Sequence, residues 1–140
     1  MSEPRTFVDT NVLVYAHDTT DRDKHQRAAA FLADVWAEQT GVVSIQVLCE
    51  LYSVLTRKLR FEPEEARGIV APYAAWRVVE IDMPMVAGAM LRNAQDALAW
   101  WDCLIVEAGL RAGASRLASE DFQTGQTFDA RLQVVDPMAA

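Results

Sequence analysis

The sequence predicts an α/β fold, a Rossmann-like three-layer α/β/α arrangement with a mostly parallel sheet. Short runs rich in Val, Ile and Phe alternate with longer segments of helical periodicity. Parallel strands need helical crossovers between them, so the alternation reads as a sheet covered on both faces. A length of 140 residues suits one domain with a sizeable core and is too short for two, so residues 1–140 are expected to form a single unit.

Strands are expected at 6–8 (TFV), 42–44 (VVS), 78–81 (VVEI), 116–119 (RLAS) and 132–135 (LQVV). Between the first two, Ala28, Phe31, Leu32, Val35 and Trp36 recur at helical spacing behind Asp21 and Asp23, either of which suits a helix cap. A second helix is read from about Gln46 to Arg60, with Val47, Leu51, Val54 and Leu55 on its apolar side and basic residues at its C-terminal end. Pro63 and Pro84 sit where a first helical turn begins, which gives helices over roughly 63–75 and 84–98. Asp102 opens a last helix over 102–112, ended by Gly113. The stretch 119–131 is the longest loop, long enough to carry function. No glycine follows the first strand in DTNVLV, which argues against a dinucleotide site.

Composition narrows the function. Thirteen Lys and Arg stand against twenty Asp and Glu, a net charge of −7, so no global positive field attracts a polyanion or an acidic membrane and any nucleic-acid contact must be local. Hydrophobic residues at 51% and charged residues at 24% are globular values. No apolar run approaches a membrane span and no export signal is visible, so a cytoplasmic protein without membrane contact is expected. Cys49 and Cys103, each in an apolar helical pattern, read as reduced core thiols.

Ligands in open α/β sheets gather at the carboxyl ends of the strands, and the reactive side chains there are carboxylates. Asp9 follows TFV, Glu120 and Asp121 follow RLAS, Asp102 opens a helix, and Glu50 lies about one turn into the helix after VVS. Only the folded sheet can gather residues so dispersed. Once gathered they repel, and such a cluster is tolerable when protons or cations neutralise it. Mg²⁺ or Mn²⁺ suits an all-oxygen set without imidazole, and metal-assisted hydrolysis of a phosphodiester is the chemistry implied. Each acid also has an ordinary role open to it: Asp9 as a strand-end turn former, Asp102 as a helix cap, Asp121 as a loop acid, Glu50 as an exposed helix residue. Glu50 and Asp102 are the most informative, because apolar neighbours surround both and an unpaired acid there wants a partner.

Other conspicuous residues have plainer readings. His17 and His25 are isolated from each other and suit surface or cap roles. Trp36, Trp76, Trp100 and Trp101 suit core or dimer packing better than base stacking. Arg57, Lys58 and Arg60 sit where the helix dipole alone favours cations. RNA backbone contact, helped by Arg22, Lys24 and Arg27, is the alternative.

Four blocks in order, FVDTNVLVYA at 7–16, SIQVLCELYSVLTRK at 44–58, WWDCLIVEAGLRAG at 100–113, and SEDFQTGQTFD with LQVVDP over 119–137, resemble the PIN domain and, within it, the VapC-type toxins of prokaryotic toxin-antitoxin pairs. The resemblance implies a PIN-like fold and a Mg²⁺- or Mn²⁺-dependent ribonuclease that leaves a 5′-phosphate and a 3′-hydroxyl. Carried over, it makes Asp9 and Asp102 the best metal ligands, Glu50 the usual third acid and Asp121 the fourth and least evenly retained, all four catalytic, with Asn11 and Ser119 as supports of the liganding acids. It also implies a homodimer and a cognate antitoxin, a small DNA-binding protein whose C-terminal arm covers the acidic cleft. Departures from the family's pattern are Cys49 where Asn is frequent, Cys103 where Ala is common, and Glu107 in a stretch that is commonly Ala-rich, where it offers an extra acid near the cleft.

Two other function classes compete. A catalytically inert PIN-like module binding RNA or protein has no reason to keep four repelling acids. A phosphotransfer domain fails on spacing: Asn11 stands where the aspartyl-phosphate hydrolase pattern needs a second Asp, and both lysines, Lys24 and Lys58, precede the strand ending at Ile81, too early for a receiver.

Overall fold

A computed structural model of the chain describes residues 4–140. Strand β1 (Thr6–Val8) leads to helices α1 (Thr10–Tyr15) and α2 (Arg22–Glu38). Strand β2 (Gly41–Ser44) leads to α3 (Ile45–Arg57), α4 (Pro63–Val70) and a 3-10 turn (Ala71–Ala75). Strand β3 (Arg77–Val79) leads to α5 (Met83–Asp96) and α6 (Trp100–Arg111), and β4 (Arg116–Ala118), β5 (Thr127–Phe128) and β6 (Leu132–Val135) complete the chain. The strands form one sheet in the order β3-β2-β1-β4-β6-β5, parallel except where β5 runs antiparallel to β6.

That order dictates the layers. From β1 to β3 the chain steps one way across the sheet, then it crosses back over to β4 on the far side of β1. Right-handed crossovers place α1–α4 on one face and α5 and α6 on the other. Packing agrees: α1 meets α2 and α3, α3 meets α4, and α5 lies along α6, which in turn touches β2, β4 and β6. The three-layer expectation therefore holds. Phe7, Val42, Leu117 and Leu132 from the strands and Leu13, Val47 and Leu51 from the helices are fully buried between the layers. Asp21, Ser44 and Asp82 cap α2, α3 and α5, each accepting from the third backbone N–H beyond it. Arg92 of α5 fastens the far side, pairing with Glu107 of α6 at 3.0 Å, Asp129 of the β5–β6 turn at 3.1 Å and Asp96 at 3.4 Å. Among the described residues no helix is long and apolar enough to cross a membrane.

Several sequence expectations need correction. Helix α1 and strand β5 were not anticipated. The hexapeptide TNVLVY is half β-branched and forms a helix because Val12 and Leu13 are buried against α2 and α3. The β5–β6 turn is Asp129–Ala130, both at positive φ, so it lacks the Asn-Gly signal that such a turn usually shows. The helix read over 63–75 is α-helical only to Val70 and tightens into the 3-10 turn over Ala71–Ala75, because Pro72 has no N–H to donate to the α-helical ladder. Helix α3 ends at Arg57 rather than Arg60, and Arg60 itself has positive φ. Helix α6 starts at Trp100, so Asp102 sits in its first turn instead of opening it. Cys103 is buried as expected, but Cys49 is exposed. Trp76 is core and Trp36 half-exposed, the two rings 5.1 Å apart beside Tyr73 at the amino end of the sheet.

Gly41 begins β2 directly beneath Trp76, and a Cβ there would lie 2.4–2.7 Å from the indole ring. Gly41→Ala is expected to destabilise the fold by about 1–3 kcal/mol, the usual cost of overpacking. Urea unfolding checks this, and a change below about 0.5 kcal/mol would mean that Trp76 moves aside freely.

Candidate acidic site

The direction of travel across the sheet reverses between β1 and β4, and the crevice outside the carboxyl ends of two such strands is where α/β folds bind ligands. Asp9 leaves β1 there and Ser119, Glu120 and Asp121 leave β4. The Asp9 backbone N–H, donated to the Ala118 carbonyl at 3.0 Å, ties the two exits together. Helix α3 brings Glu50 to the crevice from β2, and the first turn of α6 brings Asp102 from the opposite face.

Neutral donors hold the acids. Asp9 is buried; its Oδ1 accepts from Thr10 N at 2.8 Å and its Oδ2 from Ser119 Oγ at 2.8 Å. Asn11 Nδ2 donates to Asp121 Oδ2 at 3.0 Å and Ser119 Oγ at 3.1 Å, with Asp9 Oδ2 at 3.4 Å, while Asn11 Oδ1 accepts from Glu120 N at 3.2 Å. Ser119 Oγ also accepts from Asp121 N at 3.0 Å. Glu50 receives Thr10 Oγ1 at 2.9 Å on one oxygen and Gln46 Nε2 at 3.0 Å on the other. Gln46 Nε2 also reaches the Trp101 carbonyl, which links α3 to the turn carrying Asp102.

The electrostatics are those of an uncompensated cluster. Burial pushes the Asp9 carboxyl up to about 6; the hydrogen bonds from Ser119 and Thr10 oppose this, and the charges of Asp121 and Glu50 add to it. Asp102 is also raised, first by burial and then by Asp121 and Glu50. Asp9 and Asp102 therefore both feel the same two neighbours. Among the described residues, no Lys, Arg or His pairs with Asp9, Glu50, Asp102 or Asp121.

Four carboxylates free of side-chain cations suit a hard divalent ion. Among the described residues, no three His, Cys, Asp or Glu side chains form a ready ligand cage. The fit is thus to an ion such as Mg²⁺, which takes one or two carboxylates and keeps several waters.

The remaining sequence-predicted residues are placed unevenly. A cleft of about 350 Å³ adjoins the acids and is lined by Asn11, Asp121 and Lys58 among others, while Arg57 and Arg60 do not line it. Lys24 is engaged with Glu120 at 2.9 Å, and Arg27 donates to the Met138 carbonyl. Glu107 pairs with Arg92 and is not an extra acid free for the cleft. His17 and His25 are not isolated: burial lowers the His17 pKa, and the nearby charge of His25 lowers it further. Trp101 is 62% exposed, its ring 6.4 Å from Trp100, so neither core packing nor burial explains it. Thr10 and Gln46 were missed. The signal was present, because Thr10 follows Asp9 directly and Gln46 lies four residues before Glu50 on one helix face.

The PIN domain family model matches residues 6–133, and the chain belongs to that family. Among solved structures it is similar to the sarcin-ricin loop cleaving toxin VapC20 of Mycobacterium tuberculosis, at 18% identity and a TM-score of 0.64 over 80% of this chain and 86% of that one. It is similar to a toxin-antitoxin complex from Klebsiella pneumoniae, at 14% identity and a TM-score of 0.66 over 94% and 97%. DNA-bound VapBC from Salmonella typhimurium gives 14% identity and a TM-score of 0.66 over 96% and 99%. No curated protein matches the chain in sequence.

Between the ordinary Asp value and about 6 the folded protein holds a proton on Asp9 that the unfolded chain has lost. Unfolding free energy contributed by Asp9 therefore falls as pH rises through this window, by on the order of 2–3 kcal/mol. In chelator, Asp9→Asn is expected to remove that part of the decline between pH 4 and 7. Parallel denaturation curves for parent and variant at all pH values would contradict the assignment.

Proposed function

We propose that the protein is a metal-dependent endoribonuclease, the toxin of a toxin-antitoxin pair, in which Asp9, Glu50, Asp102 and Asp121 hold Mg²⁺ or Mn²⁺ at the carboxyl ends of β1 and β4. The observation that carries this reading is the gathering of these carboxylates at one crevice with no side-chain cation paired to them among the described residues, where burial and the charges of Asp121 and Glu50 raise the Asp9 and Asp102 carboxyls. Membership of the PIN family and similarity to structures of a VapC toxin and toxin-antitoxin complexes support it.

In this mechanism the ion, when bound, neutralises charge that develops on the phosphodiester and makes water a better nucleophile. The chain's own residues do the rest. Asp9 is kept rigid by Thr10 and Ser119, so its carboxylate meets the ion without reorganising. Asn11 fixes Asp121 and Ser119 as one unit, and Thr10 and Gln46 orient Glu50. Asp102 has no hydrogen-bond donor among the described residues and is the acid freest to ligate. Lys58 is assigned to RNA backbone contact, with Arg57 and Arg60 as outer basic residues at the end of α3. With a net charge of −7, selection rests on substrate shape in the cleft more than on nonspecific attraction.

A cognate antitoxin and a second copy of the chain are the assigned protein partners. Met83, Met90 and Leu91 of α5, together with Trp101, are exposed apolar residues suited to a dimer surface. A basic arm from the antitoxin complements the acids.

Purified protein with Mg²⁺ or Mn²⁺ is expected to cut tRNA or rRNA at few positions, leaving 5′-phosphate ends, and to stop in chelator. Asn11→Ala and Ser119→Ala should lose about 10–100-fold, the usual cost of removing a support of a liganding acid. Asp9→Asn and Asp102→Asn should lose more. RNA retention without products in Mn²⁺ would favour the inert binding module, and equal cutting by the Asp variants would overturn the site.

A further inference from the structure

We infer that the cleft beside the acids is a nucleotide subsite: it seats the nucleotide next to the scissile phosphate, with Lys58 as its phosphate contact and Tyr15 as its positioning wall. This rests on the nuclease reading above and adds the residues that hold the substrate.

The cleft runs from Asn11 and Asp121 along the groove between α1 and α3, and at about 350 Å³ it falls within the usual range for small-ligand sites. Its lining divides in two. Val14, Val54 and Leu59 supply an apolar surface for a ribose or a base face, while Glu120 and Asp18 offer carboxylates to hydroxyl or amino donors. The Tyr15 wall is fixed before any ligand arrives. Lys24 Nζ donates to Glu120 at 2.9 Å and to Tyr15 Oη at 3.4 Å, and lies 5.0 Å from the centroid of the Tyr15 ring. A wall held in this way loses little entropy on binding.

The charges of the two lysines at the cleft are used differently. Lys24 is neutralised by Glu120, whereas Lys58 forms no ion pair among the described residues. A phosphate chain approaching the four acids is repelled by them, and Lys58 is the cation lining the path in. The single lining cation beside the apolar surface of Val14, Val54 and Leu59 matches a phosphate with its attached nucleoside.

Two measurements test the subsite. In the Asp102→Asn protein with chelator, adenosine 5′-monophosphate is expected to shift the methyl resonances of Val14, Val54 and Leu59, and inorganic phosphate is not. Lys58→Gln should weaken that binding about tenfold and lower the salt slope for single-stranded RNA by roughly 0.7, the share of one phosphate contact. In the cutting assay with the metal-loaded parent, Lys58→Gln and Tyr15→Leu should raise KM about fivefold or more with little change in kcat, and Tyr15→Phe should restore the parent value. Methyl shifts confined to another surface, or an unchanged KM in both variants while Asp9→Asn is inactive, would overturn the subsite and leave the nuclease reading standing. Shifts in the cleft with no RNA cut under any metal would support a nucleotide site and sink the nuclease reading instead.

Discussion

Four carboxylates delivered to one end of a sheet repel one another, and much of the molecule is arranged around containing that repulsion. The reversal of strand order between β1 and β4 creates the crevice, and the helices on either face then feed Glu50 and Asp102 into it from opposite sides. What holds Asp9, Glu50 and Asp121 in place is a set of uncharged donors: Thr10, Asn11, Gln46 and Ser119. Neutral donors orient a carboxylate without cancelling its charge, which leaves the cluster attractive to a cation from solution. A lysine or arginine in the same positions would stabilise the apoprotein and close the site.

The basic residues are deployed accordingly. Arg92 and Arg111 pair with acids remote from the crevice, Lys24 is matched to Glu120 at its rim, and Lys58 faces the adjoining cleft with its charge available. On the proposed reading, a strongly acidic chain accepts a polyanionic substrate at one place while offering little general affinity elsewhere. Stability is sacrificed locally, since a buried carboxyl titrating near 6 is ionised at neutral pH at a cost to the folded state.

Most of the fold was legible because it follows from alternation: five of the six strands and the long helices lie close to where the apolar periodicity puts them. Elements that depend on tertiary context were not. Helix α1 has poor intrinsic propensity and exists because α2 and α3 bury it, and the hairpin β5–β6 turns through Asp129 and Ala130 without a glycine. Pro72 was a readable stop signal that the helical periodicity around it concealed. At the site, Asp9, Asp102 and Asp121 could be picked out because each follows a strand or lies in the first turn of a helix, Glu50 because apolar neighbours surround it on its helix, and Asn11 and Ser119 because they neighbour those acids. Gln46 and Thr10 were harder to find, since their role is visible only once Glu50 is seen to need partners. The engagement of Lys24 and Glu107 in ion pairs depends on contacts between elements distant in sequence, which composition and spacing do not encode.

The four tryptophans fall into two pairs at opposite ends of the sheet: Trp36 with Trp76 where the strands begin, and Trp100 with Trp101 immediately before Asp102. Indole emission responds to local polarity and quenching, so the two pairs report on different events. Light from the first pair follows the integrity of the packed interior around Gly41, while light from the second pair, half-buried Trp100 and exposed Trp101, follows whatever arrives at the acids. The protein thus carries a built-in optical gauge at each pole, and swapping either pair for phenylalanine would let one signal be read without the other.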